Sequence, residues 1–150
     1  MIAHGDLSFD GHQMGTVQGG QKLVQDLSCA VLEPQGTDPL HSSFGSTIGG
    51  SINPDGTWNQ GVIGSPNNSL AAMAVSGEIK RICVQYQTQQ LARYQADVAV
   101  YGRSTLTADE ALMNIESIVA QAAQNHLLVS ATLKTGTSDL PLTVPITPSI

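Results

Sequence analysis

The chain has 150 residues, about the size of one domain and enough to enclose one hydrophobic core. Six Lys and Arg against twelve Asp and Glu give a formal net charge of −6, which excludes a basic surface for nucleic acid and a polybasic membrane anchor. Charged residues are few while Gln, Ser, Thr, Asn and Gly are abundant, a composition that favours a surface packed against other protein. The first residues, MIAHGDLSFDG, resemble no signal peptide, and no run approaches the ~20 apolar residues of a membrane span.

The first third of the chain predicts a short strand and one helix. Residues Gly5 to Phe9 can form the strand, and glycines then lead into QKLVQDLSCAVLE. In that run four apolar residues recur at helical spacing, namely Leu23, Leu27, Ala30 and Val31. Pro34 ends the helix because it lacks a backbone donor and clashes with the preceding turn.

The stretch LEPQGTDPLHSSFGSTIGG, which begins at Leu32, is neither helical nor alternating in pattern. Pro34 and Pro39 lack backbone donors, and a further turn signal, NPDG, follows at Asn53. We therefore expect a loop from about residue 33 to residue 67. Because it is far longer than an ordinary connector, we expect it to have a function of its own.

The segment NNSLAAMAVSGEIKRICVQYQTQQLARY, residues 67–94, predicts the strongest helix in the chain. Val75, Ile79, Ile82 and Tyr86 trace one face of it. Its length predicts that part of it lies against another molecule. The alternating run ADVAVYG after it predicts a strand.

After that strand we expect a third helix. Thr107 and Glu110 have the spacing of a capping box, and apolar residues follow at helical intervals, namely Leu112, Ile115, Val119 and Ala122. Next, NHLLVSATLKTGTSDLPLTVPI predicts a C-terminal β-hairpin, with its proline-rich second strand at a sheet edge. The whole predicts a small α+β protein, a single domain over 1–150 with helices packed on a short mixed or antiparallel sheet.

Catalytic and metal-binding patterns are weak in this chain. The histidines, at positions 4, 12, 41 and 126, have no metal-ligand spacing, and Cys29 and Cys83 fall in apolar helical patterns that predict buried free thiols. Glu33 and Asp38 are the one pair of carboxylates that suggests a glycoside hydrolase. We expect no enzyme, cofactor, metal or small-molecule substrate. Trp58, in a polar glycine-rich setting, suggests an interface, with a position in the core as the alternative.

The same residues resemble a known family. The chain resembles the small baseplate wedge proteins of phage tails in an N-terminal GDL strand, the helix QDLSCAVLEPQG and the run TDPLHSSFGSTIGG. In contractile relatives these proteins are sheath initiators, and the family carries the label "lysozyme-like". In that family an apolar helix runs into a Leu-x-x-Pro-x-Gly bend, then a Pro, then an aromatic residue with Gly-Ser. Leu32, Pro34 and Gly36 stand at nearly that spacing here, and Asp38, Pro39, Phe44, Gly45 and Ser46 complete it.

The resemblance implies a structural subunit of a virion tail baseplate, assembled in the host cytoplasm, that joins the wedge or hub ring to the tail tube or sheath. Its partners are expected to be other baseplate and tail proteins, with about six copies around the tail. We expect the interface to contain Leu32, Pro34, Gly36, Pro39, Phe44, Gly45, Trp58, Leu142 and Val144, the last two on an edge strand where a neighbour adds a strand. A lysozyme-like hydrolase and a tail assembly adaptor outside the virion are the alternatives, and a contractile tail and a non-contractile tail both remain open.

Overall fold

The computed structural model describes residues 6–10, 13–62, 68–122 and 127–146. In chain order the elements are β1 (Asp6–Asp10), β2 (Gln13–Val17), α1 (Gly19–Leu32), β3 (Pro34–Gln35), β4 (Ser46–Ile52), β5 (Trp58–Asn59), α2 (Asn68–Tyr101), β6 (Leu112–Ala122), β7 (Leu127–Thr135) and β8 (Asp139–Ile146). The predicted α+β class is confirmed, as are the first strand, both long helices and the C-terminal hairpin.

The strands of the described residues form three small sheets. Strands β1 and β2 make an antiparallel pair, and β3, β4 and β5 make a mixed sheet in that order. The largest sheet is antiparallel with the order β6-β7-β8, so that β8 is an edge strand with β7 as its neighbour. The predicted edge position of the proline-rich strand is therefore confirmed.

One hydrophobic core joins both helices to two of the sheets. Its fully buried side chains include Leu23 and Leu27 of α1, Ile79 of α2, Ile48 of β4 and Leu133 of β7. Alternation in β7 places Val129, Ala131 and Leu133 inward, as the period-2 pattern predicts. The core thus lies between the helices and the inner face of the β6-β7-β8 sheet.

Helix α1 ends where the sequence predicts. Glu33 is its C-terminal cap, with extended backbone and an N–H that donates to the carbonyl of Cys29, and Pro34 then starts β3. The prediction that both cysteines are buried is half wrong: Cys83 is buried, and burial raises the pKa of its thiol to about 11, but Cys29 lies on the exposed side of α1. A helical apolar pattern covers only one stripe, and Cys29 stands just outside it.

The predicted strand ADVAVYG is wrong, because those residues continue α2, which has 34 residues and ends at Tyr101. Extending an existing helix by one residue is far easier than starting a strand, since the nucleation cost has already been met. Gly102 terminates the helix with a φ of 70°, and its N–H donates to the carbonyl of Val98.

The predicted third helix is also wrong, because residues 112–122 form strand β6. The register of β6 against β7 shifts between Leu112 and Asn114 and again between Ile115 and Ser117. Each shift is a β-bulge, which inserts one extra residue and so turns a spacing of two into a spacing of three. Leu112, Ile115 and Ile118 therefore all face the core from a strand while they recur at a helix-like interval.

The segment predicted as a loop over 33–67 contains three short strands in its described part, residues 33–62. Strand β4 has seven residues, and Ile48 in its middle is fully buried in the core. The sequence pattern did not indicate this strand, because Gly49 and Gly50 have no side chains and so interrupt the alternation of apolar and polar residues. We call residues 32–62 the glycine-rich segment below.

Candidate assembly surfaces

The glycine-rich segment is held in one shape by its own backbone. Gly45 has a φ of 92°, and a Cβ added there would lie 2.5 Å from the carbonyl oxygen of Glu33. This close approach lets the N–H of Ser46 donate to the carbonyl of Glu33 at 2.8 Å and the Ser46 hydroxyl donate to the carbonyl of Val31 at 2.6 Å. The Phe-Gly-Ser run thus returns the chain onto the end of α1.

An ion pair on α2 clamps the same run from the other side. Arg81 donates from Nη2 to the carbonyl of Gly45 at 2.8 Å and to the Glu78 carboxylate at 2.8 Å. The Glu78 carboxylate also accepts the N–H of Thr47 at 2.9 Å. Burial raises the pKa of Glu78, but the hydrogen bonds from Arg81 and Thr47 outweigh it and hold that pKa below its ordinary value. The segment is therefore fixed to the domain by charge-assisted hydrogen bonds. No local sequence pattern predicts these bonds.

Beyond the clamp, the segment presents apolar side chains to solvent. Strand β5 places Trp58 beside Ile52, and the indole lies over Gly50, where an added Cβ would be 2.1 Å from its Cζ2 atom. Trp58 is 55% exposed and Leu40 is 86% exposed. Asp55 fixes the turn that precedes β5 by accepting bonds from the N–H and the hydroxyl of Thr57. Trp58 is thus an exposed side chain on an ordered support.

The nine predicted interface residues fall into three groups. Leu32, Pro39 and Trp58 are exposed, Pro34, Gly36 and Phe44 are half-buried, and Gly45, Leu142 and Val144 are buried. Phe44 packs against the core. The side chains of Leu142 and Val144 face inward from β8 and belong to the domain's own core, so they are not open to a partner, and strand addition at this edge stays a prediction.

The free edge of β8 has few backbone N–H groups that could donate to an added strand. Proline has no N–H, so Pro141 and Pro145 fit a strand only where an N–H would point away from β7. Both prolines are exposed, and each lies two residues from Thr143, one before it and one after it. An incoming strand would therefore find the N–H of Thr143 between two positions without one, an arrangement that limits edge pairing.

A second exposed surface lies on α2. In its last eleven residues only Arg93 and Asp97 are half-buried, and every other side chain is exposed. Large apolar groups are among them, with Leu91 57% exposed and Tyr101 69% exposed. The sequence indicated that this helix was too long for its domain, but its pattern did not show which side would remain uncovered.

The exposed end of α2 is nevertheless held firmly to the domain. Gln90 donates from its side chain to the carbonyl of Glu110 at 2.8 Å and accepts the N–H of Leu112 at 2.9 Å. Arg93 pairs with Glu110 at 3.3 Å, and Asp97 accepts the N–H of Thr105 at 2.9 Å. These bonds attach the helix to the segment that leads into β6, so the uncovered side is a fixed surface.

The two carboxylates considered for hydrolysis take part in a turn. Asp38 accepts bonds from the N–H of Leu40 and from Nδ1 of His41, and these lower the pKa of its carboxyl group. Glu33 accepts the hydroxyl of Thr37 at 3.3 Å. A general acid of a glycosidase needs a raised pKa, so the lowered pKa of Asp38 disfavours this residue for that one role. The nearby depression lined by Phe44, Tyr86 and Gln89 encloses about 10 Å³, room for roughly one water.

Other polar side chains of the described residues support the fold. The Tyr86 hydroxyl donates to Asp26 at 2.7 Å, and Lys22 pairs with the same carboxylate at 2.6 Å, so the three residues join α1 to α2. Burial and the Asp26 carboxylate together raise the pKa of Tyr86. The described residues contain no group of three or more side chains suited to a metal ion, and His4, His12 and His126 lie outside them.

Comparison with family models, with curated proteins and with solved structures found no match to this chain. Neither described helix is long and apolar enough to cross a membrane.

Proposed function

We propose that this protein is a structural subunit of a larger assembly, and specifically of a phage tail baseplate. The observation that carries the proposal is that most of its exposed large apolar side chains lie in two parts of the described residues, the glycine-rich segment and α2. Two separate contact surfaces on a small domain suit a subunit that is held between neighbours.

The baseplate assignment rests on the resemblance of the residues around the Phe-Gly-Ser run. Leu32 and Pro39, which belong to the resembling motif, are exposed, while Gly45 and Ser46 are buried where the chain returns to α1. A motif with this division combines structural residues that shape the turn with surface residues that a partner can contact. We propose that neighbouring baseplate or tail proteins bind this side, in about six copies around the tail.

The test is mass spectrometry of tail particles purified from the phage that encodes the chain, with the subunit located by antibody labelling in electron micrographs. We expect the chain in the particle, with label at the baseplate end of the tail. A chain that is needed for tail assembly but absent from the particle would replace the proposal with an assembly adaptor. Clearing of a peptidoglycan suspension that is lost in Glu33→Gln would replace it with a hydrolase.

A complementation experiment tests the contact surface itself. A phage that lacks the gene is supplied with wild-type protein, with Trp58→Glu or with Thr137→Glu. Trp58 and Thr137 are both exposed, but only Trp58 lies on the proposed surface. We expect Trp58→Glu to leave a folded subunit that enters particles poorly, and Thr137→Glu to assemble like wild type. Equal incorporation of the two variants would contradict the assigned surface.

A further inference from the structure

The exposed apolar residues of α2 recur along one stripe, which Gly77, Lys80 and the half-buried Gln87 interrupt. Leu91, Tyr94, Val98 and Tyr101 follow one another at intervals of three, four and three. The same repeat continues toward the start of the helix through Val84, Met73 and Leu70. All seven are among the exposed large apolar side chains, and on α2 only Val100 is exposed away from the stripe.

The stripe has the spacing of a coiled-coil seam. Intervals of three and four average 3.5 residues, the repeat that keeps two supercoiled helices in contact. The core-facing residues of α2, among them Val75, Ile79 and Ile82, lie on a different side of the helix. The helix therefore has one apolar side that the domain buries and a second that it leaves open.

The exposed positions of α2 between Ile82 and Tyr101 carry no charge. Between Ile82 and Tyr101 the charged residues are Arg93 and Asp97, which are half-buried and turned toward Glu110 and Thr105. The exposed positions there are Val, Leu, Ala, Tyr, Thr and Gln. This half of the helix therefore contributes no like-charge repulsion to the approach of a second copy, despite the net charge of −6.

We propose that two copies of this chain associate through antiparallel packing of their α2 helices along this stripe. In the antiparallel register centred between Gln85 and Tyr86, Leu70 lies opposite Tyr101 and Met73 lies opposite Val98. In the same register Tyr94 faces Gly77, where a Cβ would meet no atom within 4 Å, so that a large side chain meets a small one. The contact is isologous and closes on two copies.

The position of Lys80 favours the antiparallel orientation over the parallel one. Lys80 is exposed and lies in the stripe between Gly77 and Val84. In a parallel pair the two Lys80 ammonium groups would meet in one layer, and like charges there oppose association. In the antiparallel pair Lys80 faces Leu91, where its aliphatic stem covers the leucine and its charge reaches solvent.

The stripe is large enough for a specific contact. It runs for roughly 45 Å along the helix at 1.5 Å per residue. Seven exposed side chains with roughly 100 Å² of apolar area each would bury on the order of 700 Å² per copy if all of that area were covered. The flanking Thr88, Ala92 and Gln95, which are also exposed, bring the contact to about the 800 Å² per partner of a standard interface.

This inference rests on the proposed function only in treating the exposed apolar surfaces as assembly contacts, and it names the occupant of one of them. The two fail separately. A monomeric chain that is present in tail particles would overturn the inference alone, and a dimer that is absent from particles would overturn the proposed function alone.

Sedimentation velocity over a range of protein concentrations tests the pair, with a matched control on the same helix. We expect the wild-type chain to dimerise with a dissociation constant of about 10 µM or tighter. Val98→Glu buries a carboxylate in the seam and should weaken dimerisation at least about 100-fold. Val100→Glu makes the same change two residues away, outside the stripe, and should leave dimerisation unchanged. Circular dichroism of each variant confirms that the monomer remains folded.

Disulfide trapping tests the register. In a Cys29→Ser background, Gly77→Cys combined with Tyr94→Cys should give a covalent dimer on mild oxidation, and Gly77→Cys alone should not. A covalent dimer from Gly77→Cys alone indicates a parallel pair and overturns the proposal. A wild-type chain that stays monomeric, or equal weakening by Val98→Glu and Val100→Glu, overturns it as well.

Discussion

The C-terminal sheet and the glycine-rich segment both contribute a strand to the core, but they are stabilised by different interactions. In β7 the inward residues Val129, Ala131 and Leu133 alternate with polar ones, so the strand is held by apolar burial. In β4 the main buried apolar side chain is Ile48, and the strand is positioned by the backbone of Gly45 and by the Arg81–Glu78 clamp. A short strand with little apolar surface thus needs polar and backbone constraints instead.

The largest expected effect is in the C-terminal sheet. Leu133→Ala removes a fully buried side chain between strands β6 and β8 and should lower the free energy of unfolding by about 2 to 5 kcal/mol. Met113→Ala, at an exposed position on β6, should change it by less than ~0.5 kcal/mol. Urea unfolding followed by circular dichroism measures both. Equal effects would show that burial does not explain the stability of this sheet.

The next effect is in the backbone of the glycine-rich segment. Gly45→Ala meets both a positive φ and the carbonyl of Glu33, so we expect a loss of about 2 to 3 kcal/mol. Gly56→Ala has a φ of 83° but open space around the new Cβ, and should lose only about 1 kcal/mol. Both variants carry the strain of a positive φ, so the difference between their losses of unfolding free energy measures the cost of the contact between the new Cβ and the Glu33 carbonyl. A difference near zero would contradict this cost.

A smaller and more local effect is expected from the clamp. Arg81→Met removes donors to Gly45 and Glu78 and should lower the free energy of unfolding by about 1 to 3 kcal/mol. Amide exchange should quicken at Thr47, whose N–H bonds to Glu78, more than at Leu133 in β7. Arg103→Met, at an exposed position after α2, is the control. Uniform acceleration across both sheets would mean that the clamp has no local role.

The smallest effect is a dependence on pH. Because the folded-state pKa of Glu78 lies below its ordinary value of 4.5, its contribution to stability is present above that value and is lost as the pH falls through the folded pKa. Glu78→Gln should therefore lose less stability than wild type between pH 5 and about 3. Urea unfolding across that range measures the difference. If the unfolding free energies of wild type and Glu78→Gln changed with pH in the same way, Glu78 would not be the source of the pH dependence.

The sequence by itself determined the elements whose side-chain period matches their structure. The four apolar residues of α1 from Leu23 to Val31, the core face of α2 and the alternation in β7 all indicated their elements correctly. The reason is that burial on one side imposes the period of the element directly on the sequence. Pro141 and Pro145 likewise indicated an edge strand, since each lacks a donor wherever it lies.

Only the tertiary structure decided four other features. Two bulges give β6 a helix-like period, and bulges depend on the partner strand β7. Strand β4 takes its place from Arg81 and Glu78, about thirty residues further along the chain, so no local pattern contains it. The inward direction of Leu142 and Val144 depends on which face of β8 meets the core, and the uncovered stripe of α2 exists because the domain's other elements cover only one side of that helix.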